Sequence, residues 1–259
     1  MVRSALGTLA RLVGALLVAA LISGLAYYGW TFARASPRFG VRHLSFRGVV
    51  HANEEELTRR AGLVAGTNIF RIDLARAARE MEQDPWVRQA SIERELPDTL
   101  RVSVTEHRPV AILALGPLYV LDDHNRIFKR VTPTDHLDLP VITGLTREMV
   151  EQGRDADALV TARSIVAAWA RLPLAAYAPL GELHADFDAG ERTWTAWAGD
   201  RAPVRVELGS FDFEGPAAVP AVLGRLERVW TELERRHARP KSIDVGNRLR
   251  PDWVAVELE

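Results

Sequence analysis

LVGALLVAALISGLAYYGWTF, residues Leu12 to Phe32, runs for 21 residues without an Asp, Glu, Lys or Arg. A helix rises about 1.5 Å per residue, so a bilayer core of roughly 30 Å needs about 20 apolar residues to cross. This run is long enough. Gly14 and Gly24 weaken a soluble helix, but small residues are ordinary in membrane spans. Tyr27, Tyr28, Trp30 and Phe32 crowd one end, where amphipathic rings sit at headgroup level. The run divides the chain into a short leading segment, a span over 12–32 and a long following part.

Two rival readings exist for the same run. A buried core helix normally carries a polar stripe, and none is visible. A cleaved signal peptide fits the basic start (Arg3, Arg11) and the small-x-small site Ala33-Arg34-Ala35. Signal cores, however, run about 7–15 residues, shorter than this stretch, and the aromatic end is bulky for one. A retained anchor, with the mature chain beginning at Met1, is therefore the expectation. Charge does not orient it, because Arg3 and Arg11 on one side face Arg34, Arg38 and Arg42 on the other.

The 259 residues leave enough chain after Phe32 for one large or two small domains, and 47% hydrophobic with 26% charged residues matches a globular composition. The net charge of −1 offers nucleic acid no long-range attraction. Arg supplies 31 of the 33 basic residues, and Cys is absent, which excludes disulfides, thiolate metal sites and Cys nucleophiles.

Outward from the span, Val41, Leu44 and Phe46 open a strand that stops at Gly48. Asn53 before Glu54-Glu55-Glu56 reads as a helix cap, with Glu56 placed for a capping box. Asp73 caps a second helix whose stripe is Leu74, Ala77, Ala78 and Met81, and Pro85 ends it. Two alternating strands follow, through Ala90 and Ile92 and through Leu100, Val102 and Val104, joined at Leu96-Pro97-Asp98. Phe46, Leu74, Met81, Ile92 and Val102 are the expected shared core.

Strand, helix, helix, strand, strand directly after a span resembles a POTRA domain, in particular that of the FtsQ/DivIB cell-division family. The residues that carry the resemblance stand in order: Val41-x-x-Leu44-x-Phe46-x-Gly48, Gly66-x-Asn68-Ile69-Phe70, Pro85-Trp86-Val87 and Leu96-Pro97-Asp98-Thr99-Leu100. Val102 and Val104 then lead to Glu106-x-Arg108-Pro109.

The second half reads as strands at Leu118–Asp122, Arg126–Arg130, Leu183–Phe187, Thr193–Trp197, Val204–Leu208, Ser242–Val245 and Trp253–Leu258. Helices are expected over Ala158–Arg171, with Leu159, Ala162, Val166 and Trp169 on one face, and over Pro220–His237, striped by Val222, Leu226, Val229 and Leu233. Asp123-His124-Asn125 and Ala189-Gly190 read as turns, and the last two strands are joined by a loop holding Gly246, Asn247 and Pro251. This half also resembles FtsQ/DivIB. The hairpin Tyr119-Val120-Leu121-Asp122…Ile127-Phe128, the turn Leu139-Pro140-Val141-Ile142-Thr143-Gly144 and Ile243-Asp244-Val245 carry the likeness. The family's Asp-Leu-Arg-Tyr at the penultimate strand is here Asp244-Val245-Gly246-Asn247, so any contact made by that Arg or Tyr does not transfer. The expected fold class is α+β: a tail over 1–11, the span over 12–32, a POTRA domain over 39–115 and a mixed β domain with helices over 116–259.

No catalytic constellation is present. G-x-S-x-G, a phosphate-cradling loop, H-E-x-x-H and G-x-G-x-x-G are all missing, and the seven His residues form no i, i+4 pair. Asp122-Asp123-His124 reads as a turn rather than a metal site, Glu54-Glu55-Glu56 as a helix start, Asp186 and Asp188 as a solvated strand face, and Arg235, Arg236, Arg239 and Lys241 as a helix C-terminus. No enzyme, cofactor or metal is expected. The resemblance implies a divisome scaffold of the bacterial inner membrane, its tail cytoplasmic and its bulk outside. It would recruit FtsB-like and FtsL-like membrane proteins and through them reach septal peptidoglycan synthesis. The alternative is a secreted POTRA-type peptide-binding chaperone or a processed enzyme. The physical mode expected is strand addition at the last hairpin, through Trp253, Val254, Ala255 and Val256 with Ile243 and Asp244 beside them, Trp253 and Ala255 pointing outward.

Overall fold

The computed structural model describes residues 2–151, 156–188, 191–200, 202–247, 250 and 253–259. The chain divides into two compact units, Met1–Glu106 and His107–Glu259. The first opens with helix α1 (Val2–Ala35). Every side chain from 13 to 32 is exposed, Leu16 by 70% and Leu17 by 67%. A helix that turns apolar residues outward on all sides has no water-soluble core to join. The core-helix alternative falls on this ground, and Val13–Ala35, 23 residues, is long and apolar enough to cross a membrane.

After α1 come β1 (His43–Arg47), α2 (Glu54–Arg60), α3 (Leu74–Met81), β2 (Val87–Glu95) and β3 (Thr99–Glu106). This is the expected βααββ order. β3 is central, parallel to β1 and antiparallel to β2. Both caps form: Asn53 Oδ1 accepts from the N–H groups of Glu55 and Glu56, and Asp73 Oδ1 from that of Arg76. The capping box does not close, because the Glu56 carboxylate turns down the helix to Arg59 and Arg60. Gly48 ends β1 at φ +81°, where a Cβ would lie 2.1 Å from the Val104 carbonyl oxygen.

Met81, Ile92 and Val102 are buried in one cluster, with Phe46 and Leu74 packed half-buried against it. Ile92→Ala is accordingly expected to cost about 2–5 kcal/mol in the unfolding of this unit, measured by denaturant titration. A second constraint closes the domain. Glu106 accepts hydrogen bonds from the backbone N–H groups of Val50, His51 and Ala52, and its Oε2 lies 3.0 Å from His51 Nδ1. Burial pushes the Glu106 carboxyl up, but the Ala52, Val50 and His51 donors outweigh it and hold the group below its ordinary value. A depressed folded pKa adds stability that is complete above the unfolded value, about 4.3, and is lost as pH falls through the folded one. Glu106→Gln should therefore lower stability by about 1–3 kcal/mol at neutral pH. The gap to the unmodified protein should close as the titration is repeated at progressively more acid pH.

The second unit holds β4 (Pro109–Ala114), β5 (Leu118–Asp122), β6 (Ile127–Arg130), β7 (Val141–Thr143), α4 (Arg147–Glu151) and α5 (Ala156–Trp169). It continues with β8 (Leu180–Asp188), β9 (Glu191–Ala198), β10 (Val204–Gly209), α6 (Val219–Arg235), β11 (Pro240–Asp244) and β12 (Ala255–Leu258). Its nine strands join one sheet in the order β12-β11-β10-β9-β8-β7-β4-β5-β6. The β4–β7, β7–β8 and β10–β11 pairs are parallel and the rest antiparallel. α5 and α6 pack on each other and share a buried cluster with the sheet.

Two expectations need correction. The first domain, expected to run to residue 115, ends sooner, because β4 pairs with β5 and β7 and belongs to the second sheet. Its run Pro109-Val110-Ala111-Ile112-Leu113-Ala114 shows no alternation because an internal strand is covered on both faces. Likewise Leu139 to Gly144 is no simple turn: Val141–Thr143 is strand β7, with Ile142 fully buried. The turn begins only at Gly144, φ +82°, where a Cβ would lie 1.9 Å from the Ala185 oxygen. The expected Ala189-Gly190 turn lies outside the described residues.

Candidate interaction edge of the second unit

β11 is an inner strand. β10 flanks it in parallel with Val206 opposite Ile243, and β12 flanks it antiparallel with Val256 opposite Ile243. β12 in turn has no strand on its far side among the described residues. The Glu259 N–H donates to the Arg239 oxygen on the β11 side. Backbone groups alternate along an antiparallel strand, so 255 and 257, like 259, address β11 while 256 and 258 turn theirs to the open side. Lys241 and Ser242 both bond Glu257, fastening the pair from the side chains.

The start of the connection between these strands is also fastened. Val245 N–H donates to the Glu207 oxygen, Arg225 reaches the Val245 oxygen, and Asp244 Oδ1 accepts from the Gly246 N–H. Gly246 passes so close to β10 that a Cβ there would lie 2.4 Å from Gly209 N. No side chain fits on this backbone as it passes Gly209. Beside the passage opens a groove of about 400 Å³ lined by Leu208, Phe211, Ala218, Val222 and Arg225.

The residues expected to bind a partner separate into two sets. Trp253 and Ala255 are exposed, Trp253 by 63%, with the Arg250 guanidinium 4.4 Å from the Trp253 ring centre. Val254 and Val256 are half-buried and pack against the core. Ile243 is fully buried, its strand enclosed by β10 and β12. Asp244 is half-buried and engaged with Gly246. Leu258 is 53% exposed.

Asp122 does more than form a turn. It is 1% exposed and accepts from the His124 and Arg126 N–H groups, with His107 Nδ1 2.7 Å from its Oδ2. Burial raises its pKa, but the Arg126 N–H, the His107 bond and the His124 N–H together hold it below the ordinary value. His107, stacked on Phe128 at 4.6 Å, was missed by sequence reasoning because its partner lies 15 residues on. Ligand atoms of Asp122, Asp123 and His124 fall within 4.8 Å of one another. The donors on Asp122 already account for its burial, and Asp123 Oδ1 lies 2.6 Å from His124 Nδ1.

An exposed apolar N-terminal helix carrying a βααββ domain, with a mixed sheet following, defines a class of POTRA-bearing proteins built on an N-terminal span. Residues 39–107 match the FtsQ-type POTRA domain family. The cell division protein FtsQ of Myxococcus fulvus is 38% identical over 237 residues, 91% of this chain and 78% of that protein. The FtsQ of Anaeromyxobacter sp. is 34% identical over 94% of this chain and 80% of its own length. That of Geotalea daltonii is 32% identical over 94% and 86%. The chain belongs to the FtsQ family of cell division proteins.

Proposed function

We propose that the chain is a membrane-anchored scaffold of the bacterial division machinery, working through protein contacts rather than through a reaction. The observation that carries this reading is the open side of β12, where the backbone groups of 256 and 258 await a strand. An FtsB-like membrane protein supplies that strand by backbone hydrogen bonding, with an FtsL-like protein arriving alongside it, and the assembly connects to septal peptidoglycan synthesis. Met1 lies in the cytoplasm and Glu259 outside the inner membrane at the septum.

Retention of α1 is supported by its junction with the POTRA domain. Asn68 Nδ2 donates to the Ala33 and Ser36 oxygens, and the Phe70 ring lies 5.8 Å from Trp30. Cleavage after Ala35 would discard two of these contacts. Protease added to spheroplasts should digest the large units and leave a fragment protected at the N-terminal side, and the intact protein should have the mass of a chain starting at Met1. Protection of the bulk until lysis would reverse the orientation, and a mature start at Ser36 would end the anchor reading. Tagged FtsB-like and FtsL-like proteins of the same organism should co-purify with the chain.

A further inference from the structure

The pole of the first unit that carries α1 is built from three segments held together by backbone bonds. Ile69 N–H donates to the Phe39 oxygen, Val41 N–H to that of Thr67, and Gly66 N–H to that of Val41. Arg42 N–H donates to the Asp98 oxygen, bringing the β2–β3 tip to the same end. Arg94 braces the 62–72 loop through the Ile69 and Ile72 oxygens. No linker separates this pole from the helix, because Asn68 bonds the Ala33 and Ser36 oxygens directly.

Two apolar side chains stand out of this pole, Val64 by 64% and Leu96 by 58%. At the same pole Arg34, Arg38 and Arg71 are exposed. The acidic groups nearby are engaged: Asp98 with Arg42 at 3.9 Å, Glu95 with Arg101 at 2.8 Å, and Asp73 as the cap of α3. Exposed apolar residues on a pole that also exposes several Arg are poorly suited to water and well suited to a headgroup layer. The interfacial Trp30 touches this same pole through Phe70.

We propose that this pole is a second, peripheral membrane contact. Val64 and Leu96 seat in the headgroup layer of the bilayer that α1 crosses, and Arg34, Arg38 and Arg71 bind anionic phospholipid headgroups there. The inference rests on α1 being a span. Two attachments, one through the bilayer and one on its surface, fix the tilt of the POTRA domain over the membrane. A single flexible tether would leave that tilt free.

The chain lacks Cys, so Val64→Cys, Leu96→Cys, Val50→Cys and Leu21→Cys each create a single labelling site in the full-length protein. Val50 is 79% exposed and lies beyond the far end of β1, bonded to Glu106 rather than near Asp98. Nitroxide labels are read for accessibility to lipid-soluble oxygen against an aqueous nickel chelate. The protein is held one copy per nanodisc, in phosphatidylcholine with and without phosphatidylglycerol. Position 21 should read hydrocarbon, positions 64 and 96 the headgroup region, and position 50 water, with the oxygen preference at 64 and 96 several-fold above that at 50. Arg38→Glu with Arg71→Glu should move 64 and 96 toward the aqueous reading in discs that contain phosphatidylglycerol. If 64 and 96 read as aqueous as 50 while 21 reads hydrocarbon, the surface contact is wrong and the span stands. If 21 also reads aqueous, the span itself fails and takes this inference with it. Headgroup readings at 64 and 96 indifferent to both lipid charge and the Arg replacements would overturn the anionic-lipid assignment.

Discussion

Trp169→Ala is expected to destabilise the second unit by about 3–5 kcal/mol, the usual cost of removing a large buried aromatic side chain. Trp169 closes α5 and is 1% exposed, in one cluster with Leu159, Ala162 and Val166 of the same helix and with Leu183 of β8. Its indole N–H donates to the Ala178 oxygen at 3.1 Å, so the ring also fixes the segment that leads into β8. Truncation removes the packing and leaves a buried carbonyl without that donor, and both losses act in the same direction. Trp169→Phe separates them: the ring is largely kept and the N–H is lost, for an expected cost nearer 1 kcal/mol. Denaturant unfolding of residues 36–259 provides the measurement. Trp169→Ala should lower the transition of the second unit and leave that of the first in place, while Ile92→Ala should do the reverse. A common shift in both would mean that the units do not unfold separately and that a two-transition description is wrong.

That contrast also marks what the sequence made legible. The face of α5 was readable because Leu159, Ala162, Val166 and Trp169 recur at helical spacing, and all four are buried. The POTRA order was readable for a similar reason, since each element there carries its own cap, stripe or alternation. β4 and β7 were not. β4 is apolar on both faces and has no period to detect, and β7 is three residues between Pro140 and Gly144. Glu56 was placed correctly on its helix and assigned the wrong partner, because two arginines one turn away compete with the Asn53 N–H. At the interaction edge, alternation told which side chains of the last two strands share a face. It did not tell which strand lies outermost. Ile243 was therefore grouped with the partner-facing residues, although β10 and β12 enclose its strand on both sides. The Gly at 246 was legible only as a departure from the family, and its reason, the approach to Gly209, exists only in three dimensions.

Trp253→Ala should weaken capture of the FtsB-like partner by roughly 30-fold, the loss of about 2 kcal/mol expected for an aromatic hot spot. The fold should hardly notice, since exposed positions usually change stability by less than about 0.5 kcal/mol. Deleting 253–259 is the more drastic change and the less informative one: it strips β11 of a neighbour and exposes Ile243, so lost capture would not separate a missing edge from a damaged sheet. Leu258→Pro is the sharper companion. Its side chain is 53% exposed and its N–H points to the open side, so proline removes a donor that only a partner uses and leaves the β11 ladder intact. Val256→Asp makes the opposite control. It places a charge on the half-buried face against the core and should lower both stability and capture. Binding measured by titration of the immobilised partner, beside the unfolding midpoint of each variant, distinguishes the cases. Full-strength capture by both Trp253→Ala and Leu258→Pro, with folding unchanged, would place the partner somewhere other than β12.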